Sequence, residues 1–171
     1  MGSAVVIVVP EAEQYVGDLR NRFDPVAARG VPAHVSVLYP FRDRLDAETD
    51  AAVAAIAART APFDLAFGPS AVFPDGVVYL VPKPDAAVRR LIAAFAERFP
   101  DCPPYGGEID DPVPHLTVGH RVPAAAASEL VAELDRLPTF ATRVDGVAML
   151  VEGPDGRWSV AKRWPFDGVD A

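Results

Sequence analysis

A single cysteine, Cys102, stands in the 171-residue chain, so no disulfide can form within it. The cross-linked framework of a small secreted domain is therefore excluded. Cys102 lies in a proline-rich stretch without a partner motif and reads as a small loop residue rather than a reactive thiol. Lysine is almost as scarce. Lys83 and Lys162 are the only two among 16 basic residues, which face 24 acidic ones. The formal charge of −8 argues against a protein that holds long nucleic acid by neutralising many phosphates, because such binding draws on clustered Lys and Arg. A small phosphorylated ligand remains open, with arginine as the cation to contact it. Long hydrophobic runs are missing as well. The apolar stretch at residues 4–9 falls far short of the roughly 20 residues that cross a bilayer, has no basic leader and runs into Pro10 and Glu11. It suits a buried strand, and a soluble cytoplasmic protein without a membrane partner is expected. No triphosphatase-type Gly-rich loop, G-x-S-x-G elbow or paired C-x-x-C is present, so kinase, elbow-hydrolase and zinc-finger readings fall away.

What is there suits one globular domain: half of the residues are hydrophobic, and the length is too small for two ordinary domains. After the first strand, residues 11–23 form a helical pattern with Tyr15, Leu19 and Phe23 four apart, ended by Asp24-Pro25. A Val-rich strand follows at 34–38, and Asp46 caps an Ala-rich helix reaching to about Arg59. Leu65 and Phe67 alternate in a strand that Gly68-Pro69 should break. Val72-Phe73 then extends briefly before the Pro74-Asp75-Gly76 turn. From Val77 the order begins again: a strand at 77–81, a helix at 85–99 with Val88, Leu91, Ile92, Phe95 and Phe99 on one stripe, and a long loop at 100–114. A second Val-containing strand and a helix after Pro123 complete the parallel. Strands at 140–144, 147–152 and 158–163 close the chain, the last two joined by a Pro154-Asp155-Gly156 turn. The two halves share one order of elements, which implies an internal duplication: a single domain of two pseudo-symmetric lobes, roughly 1–75 and 76–171.

The duplication matters because of two strings, His34-Val35-Ser36-Val37 and His115-Leu116-Thr117-Val118, which hold two of the three histidines. In a strand, residues two apart share a face about 6.5 to 7 Å from each other, so each string presents an imidazole and a hydroxyl together. A twofold relation would bring both pairs to one groove. An imidazole titrates near 6.5, so one histidine can take a proton while the other gives one. Hydroxyls can hold the oxygens of a phosphoryl group as it gains charge. Attack of water on a phosphodiester needs just these groups. Core histidines that happen to precede hydroxyls are the structural alternative. A metal site is the poorer one, for want of a clear third ligand beyond the Asp110-Asp111 pair, which reads as a solvated loop.

These residues resemble the paired motifs of the two-histidine phosphoesterase superfamily, in its 2′-5′ RNA ligase-like and cyclic phosphodiesterase branch. The wider strings AHVSVLYPF at 33–41, the Pro-Pro-Tyr-Gly-Gly loop and PHLTVG at 114–119 extend the resemblance over nearly the whole chain. It implies a bilobal α+β fold, with two antiparallel-rich sheets around a central cleft and helices outside. It also implies metal-independent chemistry on 2′,3′-cyclic or 2′-5′ nucleotide phosphodiesters without a cofactor. His34 and His115 would act as acid and base, and Ser36 and Thr117 would bind phosphate. A monomer acting on small nucleotides or RNA ends is expected, with RNA 2′-5′ ligation or a catalytically weak nucleotide-binding module as alternatives. Ser36 stands where relatives more often have threonine, and His120 stands where several have arginine. Strict alternation turns His120 away from His115, so it reads as a structural histidine unless a bulge or the strand's end redirects it. Tyr105, in its Gly-flanked loop, is the best base-stacking candidate among Tyr39, Phe41, Phe73 and itself. Arg42 is a candidate phosphate contact, against a solvated pairing with Asp43 or Asp46. Trp158 and Trp164 read as packing residues.

Overall fold

The computed structural model describes residues 2–109 and 111–169; Asp110 of the acidic pair lies outside them. Eight strands and four α-helices alternate much as the periodicity predicts. They are β1 (Ser3–Val8), α1 (Glu13–Phe23), β2 (His34–Leu38), α2 (Ala47–Ala57), β3 (Phe63–Val72), β4 (Val78–Lys83), α3 (Ala86–Arg98), β5 (Leu116–Gly119), α4 (Ala124–Leu134), β6 (Phe140–Val144), β7 (Gly146–Glu152) and β8 (Trp158–Pro165). Among the described residues, no helix is long and apolar enough to cross a membrane. Asp46 caps α2 as expected, its carboxylate accepting the Thr49 N–H at 2.7 Å. Helix α1 starts later than its pattern suggests, because Pro10 first winds residues 10–12 into a 3₁₀ turn. Strand β3 continues through Gly68-Pro69 rather than breaking there. A bulge between Phe67 and Ser70 absorbs the proline, whose missing N–H costs no ladder bond at such a point. Gly68 answers to a close approach: a Cβ there would lie 2.7 Å from the Thr139 hydroxyl.

The strands form one antiparallel sheet in the order β6-β3-β4-β5-β2-β1-β7-β8. Two four-stranded halves thus meet edge to edge, where two sheets were expected. Their seam is narrow, because β2 and β5 share one registered pair, Val35 with Leu116. The halves also differ from a simple division at residue 75. Strand β3, from the N-terminal side of that cut, pairs with β4, and β7, from the other side, pairs with β1. Helices α1 and α3 pack against β5 and β2 respectively. Their apolar faces, with Val16, Leu19, Val88, Leu91 and Phe95, join Val35, Val37, Leu116 and Val118 in the main core. Alternation then leaves His34, Ser36 and Thr117 on the opposite, open face of the sheet.

Candidate active site

The seam sets the geometry. Val35 and Leu116 are opposed and fully buried. One antiparallel step either way sets His34 beside Thr117 and Ser36 beside His115 on the open face. Side chains directly opposed in such a ladder have Cβ atoms about 4.5 to 5.5 Å apart, and diagonal ones about 7 to 8 Å. Two imidazoles thus occupy one diagonal of a four-cornered cluster, with a hydroxyl at each remaining corner.

Both histidines are braced in the same way. His34 Nδ1 donates to the Pro32 carbonyl at 2.8 Å, and His115 Nδ1 donates to the Val113 carbonyl at 2.7 Å. A carbonyl can only accept, so Nδ1 carries the hydrogen in each ring and Nε2 is left as the basic nitrogen. Their electrostatic surroundings differ. Burial pulls the His34 imidazole down to about 4, with the Pro32 bond opposing and the charges of Arg20 and His115 adding to the fall. His115 is also lowered by burial, but the Val113 bond and the Asp75 carboxylate both work to keep its proton.

A cleft of two chambers surrounds the cluster. The larger, about 570 Å³, contains His115, Phe73, Asp75 and Tyr105; the smaller, about 240 Å³, contains His34, Arg29 and Trp158. Ser36, Tyr39, Thr117 and His120 line both. Aromatic rings enclose His115. Phe73 and Tyr79 meet it edge-on at 5.1 and 5.4 Å, and Tyr105 lies roughly parallel at 6.5 Å. Tyr105 adopts a left-handed backbone (φ 52°), continued by Gly106 (φ 66°) and Gly107 (φ 81°). Burial raises its phenol above the ordinary value, with Ser36 acting in the opposite sense.

Of the remaining candidates, the structure brings in His120 and leaves out Arg42. The ladder with β4 skips a residue between Thr117, opposite Tyr79, and Gly119, opposite Val78, and β5 ends there. Arg121 follows in a left-handed conformation (φ 52°). Bulge and strand end together return His120 to the cleft, which corrects its reading as a structural histidine facing away. Arg42 instead grips Asp101 with a fork (2.8 and 3.0 Å from Nη2, 3.2 Å from Nε) and lies over the Phe99 ring. Asp101, not Asp43 or Asp46, is its carboxylate partner, and Arg42 lines neither chamber. Phe41 is a core residue packed edge-on against Phe99. Trp164 is buried, whereas Trp158 both packs and lines the smaller chamber. Asp111 pairs with Arg89 at 2.9 Å. No group of three His, Cys, Asp or Glu side chains suited to a metal occurs among the described residues.

Sequence reasoning missed Arg20, Asp24, Asp75 and Arg29. Asp24 and Asp75 were legible only as a helix end and a turn, and nothing marks Arg20 within its helical pattern as the buried arginine it is.

A model of the 2′-5′ RNA ligase superfamily matches residues 8–156. No curated protein matches the chain in sequence. Among solved structures, TT0787 of Thermus thermophilus is 20% identical, with a TM-score of 0.65 over 99% of this chain and 100% of that one. E. coli LigT complexed with 3′-AMP is 18% identical (TM-score 0.65, 96% of this chain and 97% of that one). The same protein complexed with NADP+ gives 20% and 0.62, over 96% of each chain. At these identities the likenesses establish the α+β fold.

Proposed function

The chain belongs to the 2′-5′ RNA ligase superfamily, and on that premise we propose that it is a phosphodiesterase acting on 2′,3′-cyclic or 2′-5′ nucleotide phosphodiesters, with His34 and His115 as its acid–base pair. The observation that carries this reading is the four-cornered cluster on the seam: two imidazoles with free Nε2 atoms on one diagonal, flanked by two hydroxyls. Ser36 and Thr117 donate to the non-bridging oxygens of the phosphoryl group. The low proton affinity of His34 makes it the base. It takes the proton of a water molecule as that oxygen bonds to phosphorus. His115, with Asp75 beside it, gives its proton to the ribose oxygen as the phosphorus–oxygen bond breaks, leaving a phosphomonoester and an alcohol. Run backwards with the roles exchanged, the same groups join the two, so ligation is chemically open to the site. The solved relative that is complexed with 3′-AMP supports a nucleotide in the cleft, and the aromatic wall of the larger chamber suits its base.

One observation favours a weaker binding module. Among the described residues, Arg29 is the only arginine lining the chambers, and Glu152 already holds it at 3.2 Å. The phosphate would then depend on neutral donors, an imidazolium and His120.

The test is a panel of nucleoside 2′,3′-cyclic phosphates and 2′-5′ dinucleotides with product identification, in the presence of chelator. Turnover should appear, and His34→Ala and His115→Ala should each lower kcat by at least about 10²-fold with the fold intact. Full turnover by both variants would sink the acid–base assignment. Calorimetric binding without any turnover would favour the module. Joined product from separate monoester and alcohol ends would favour ligation. His120→Ala should raise KM several-fold with a smaller change in kcat.

A further inference from the structure

The helix nearest the second motif carries a charge that neither composition nor the acid–base chemistry explains. Arg20, on α1, is 1% exposed and is among the largest side chains buried completely. Four acceptors surround it. Nε donates to the Thr117 carbonyl at 3.2 Å, and Nη2 donates to the Val31 carbonyl and to Asp24, each at 3.2 Å. Nη1 reaches Glu13 Oε1 at 3.4 Å, and that same oxygen accepts the Ala33 N–H at 2.7 Å. A backbone carbonyl of the second motif is thus tied to the two residues that flank Pro32, whose own carbonyl braces His34.

These contacts fall where the sheet is weakest. One registered pair joins the halves, so the strand backbone around the two motifs cannot rely on a continuous ladder for its partners. The Arg20 and Glu13 side chains supply them. A planar guanidinium with five N–H groups can serve carbonyls on both sides of the seam at once, whereas a lysine ammonium is a single point of charge.

We propose that Arg20 is a positioning residue, holding the His34 segment and the Thr117 strand in register across the seam so that both motifs meet one phosphoryl group. The proposal rests on the phosphodiesterase reading above. Arg20 touches no substrate in it and acts through His34 and Thr117. The charged and titratable groups around His34 are Arg20, Glu13 and Asp24 on the α1 side, His115 from the second motif, and Arg29 and His120 around the smaller chamber.

Two variants keep the idea testable where simple truncation would orphan Asp24 in the interior. Arg20→Lys keeps the charge without the fork, and Arg20→Met combined with Asp24→Leu removes both members of the buried pair. Each is compared with the wild type by circular dichroism, by titration of the histidine ring nitrogens in NMR spectra, and by kcat and KM on a nucleoside 2′,3′-cyclic phosphate. The lysine variant should hold the His34 midpoint close to the wild-type value yet lose about tenfold in kcat, with KM changed less than about threefold. The double variant should lose kcat similarly and raise the His34 midpoint only slightly, because burial, the larger cause of its depression, persists. Wild-type kcat in the folded lysine variant overturns the positioning role. If the wild type itself turns over nothing on the panel, the phosphodiesterase reading fails. The NMR spectra then decide on Arg20 alone: backbone amide signals of the His34 segment and the Thr117 strand should shift in both variants, and signals that stay at their wild-type positions overturn the proposal.

Discussion

At the residue scale, two histidines with the same brace are separated by what surrounds them. His34 falls to about 4 through burial, while His115, although lowered, has Asp75 beside it. A base works only when deprotonated and an acid only when protonated. If His34 is the base, kcat/KM must therefore rise with pH through about 4 and fall again through the His115 value, which lies below the ordinary 6.5. A mildly acidic optimum is expected in a pH–rate profile, and an optimum well above 7 would contradict these roles. The same shifts bear on stability. An unfolded histidine binds protons below about 6.5 that folded His34 refuses until about 4, so the contribution of His34 is complete above 6.5 and erodes as the pH falls toward 4. The loss amounts to at most about 1.4 kcal/mol per pH unit for one proton. Thermal unfolding between pH 7 and 4 should show Tm falling in that window, with a shallower fall in His34→Ala. The motif residues themselves were legible, because alternation alone decides which side chains share a face. His120 was not, because a bulge leaves no trace in single-residue alternation. Nor was the partner of Arg42, since Asp101 lies 59 residues away in the chain.

At the scale of elements, the loop bearing Tyr105 shows how the site depends on irregular backbone. Three consecutive residues, Tyr105, Gly106 and Gly107, lie in the left-handed region. A Cβ at Gly106 would meet nothing within 4 Å, so a substitution there tests conformation without collision. Gly106→Val places a β-branched residue at a φ it resists, at a cost of about 1 to 3 kcal/mol. The loop should relax and carry Tyr105 off the His115 ring. The expected result is a several-fold rise in KM for nucleotide substrates with little change in overall secondary structure. Unchanged KM would show that Tyr105 does not help hold the substrate. Most elements were readable in the sequence: helices from their apolar stripes and the Asp46 cap, strands from Val-rich alternation between turn residues. Strand β3 was misread because Gly68-Pro69 ordinarily ends a strand, and only a neighbour, Thr139, reveals that this glycine serves a close approach.

At the scale of the whole molecule, duplication and division are different things. The sequence repeats strand, helix, motif strand, helix, strand, and the obvious cut lies near residue 75. In the fold, however, β3 crosses to lie between β4 and β6, while β7 lies between β1 and β8. Each half-sheet therefore contains strands from both sides of that cut. Such an exchange cannot be read from periodicity, which reports where strands occur and not which edge they join. It has a thermodynamic consequence. A fragment comprising residues 1–75 would hold β3 without either of its partners and β1 without β7, leaving unpaired strand edges and half of a shared core open to water. Neither 1–75 nor 76–171 should fold alone, and circular dichroism of the separate fragments should show little native structure. The intact chain should unfold in one transition, with coincident signals from tryptophan fluorescence, backbone dichroism and heat absorption. Two resolved transitions would mean that the seam at Val35 and Leu116 divides the molecule after all, and a folded 1–75 fragment would mean that the exchanged strands contribute less cohesion than their pairing implies.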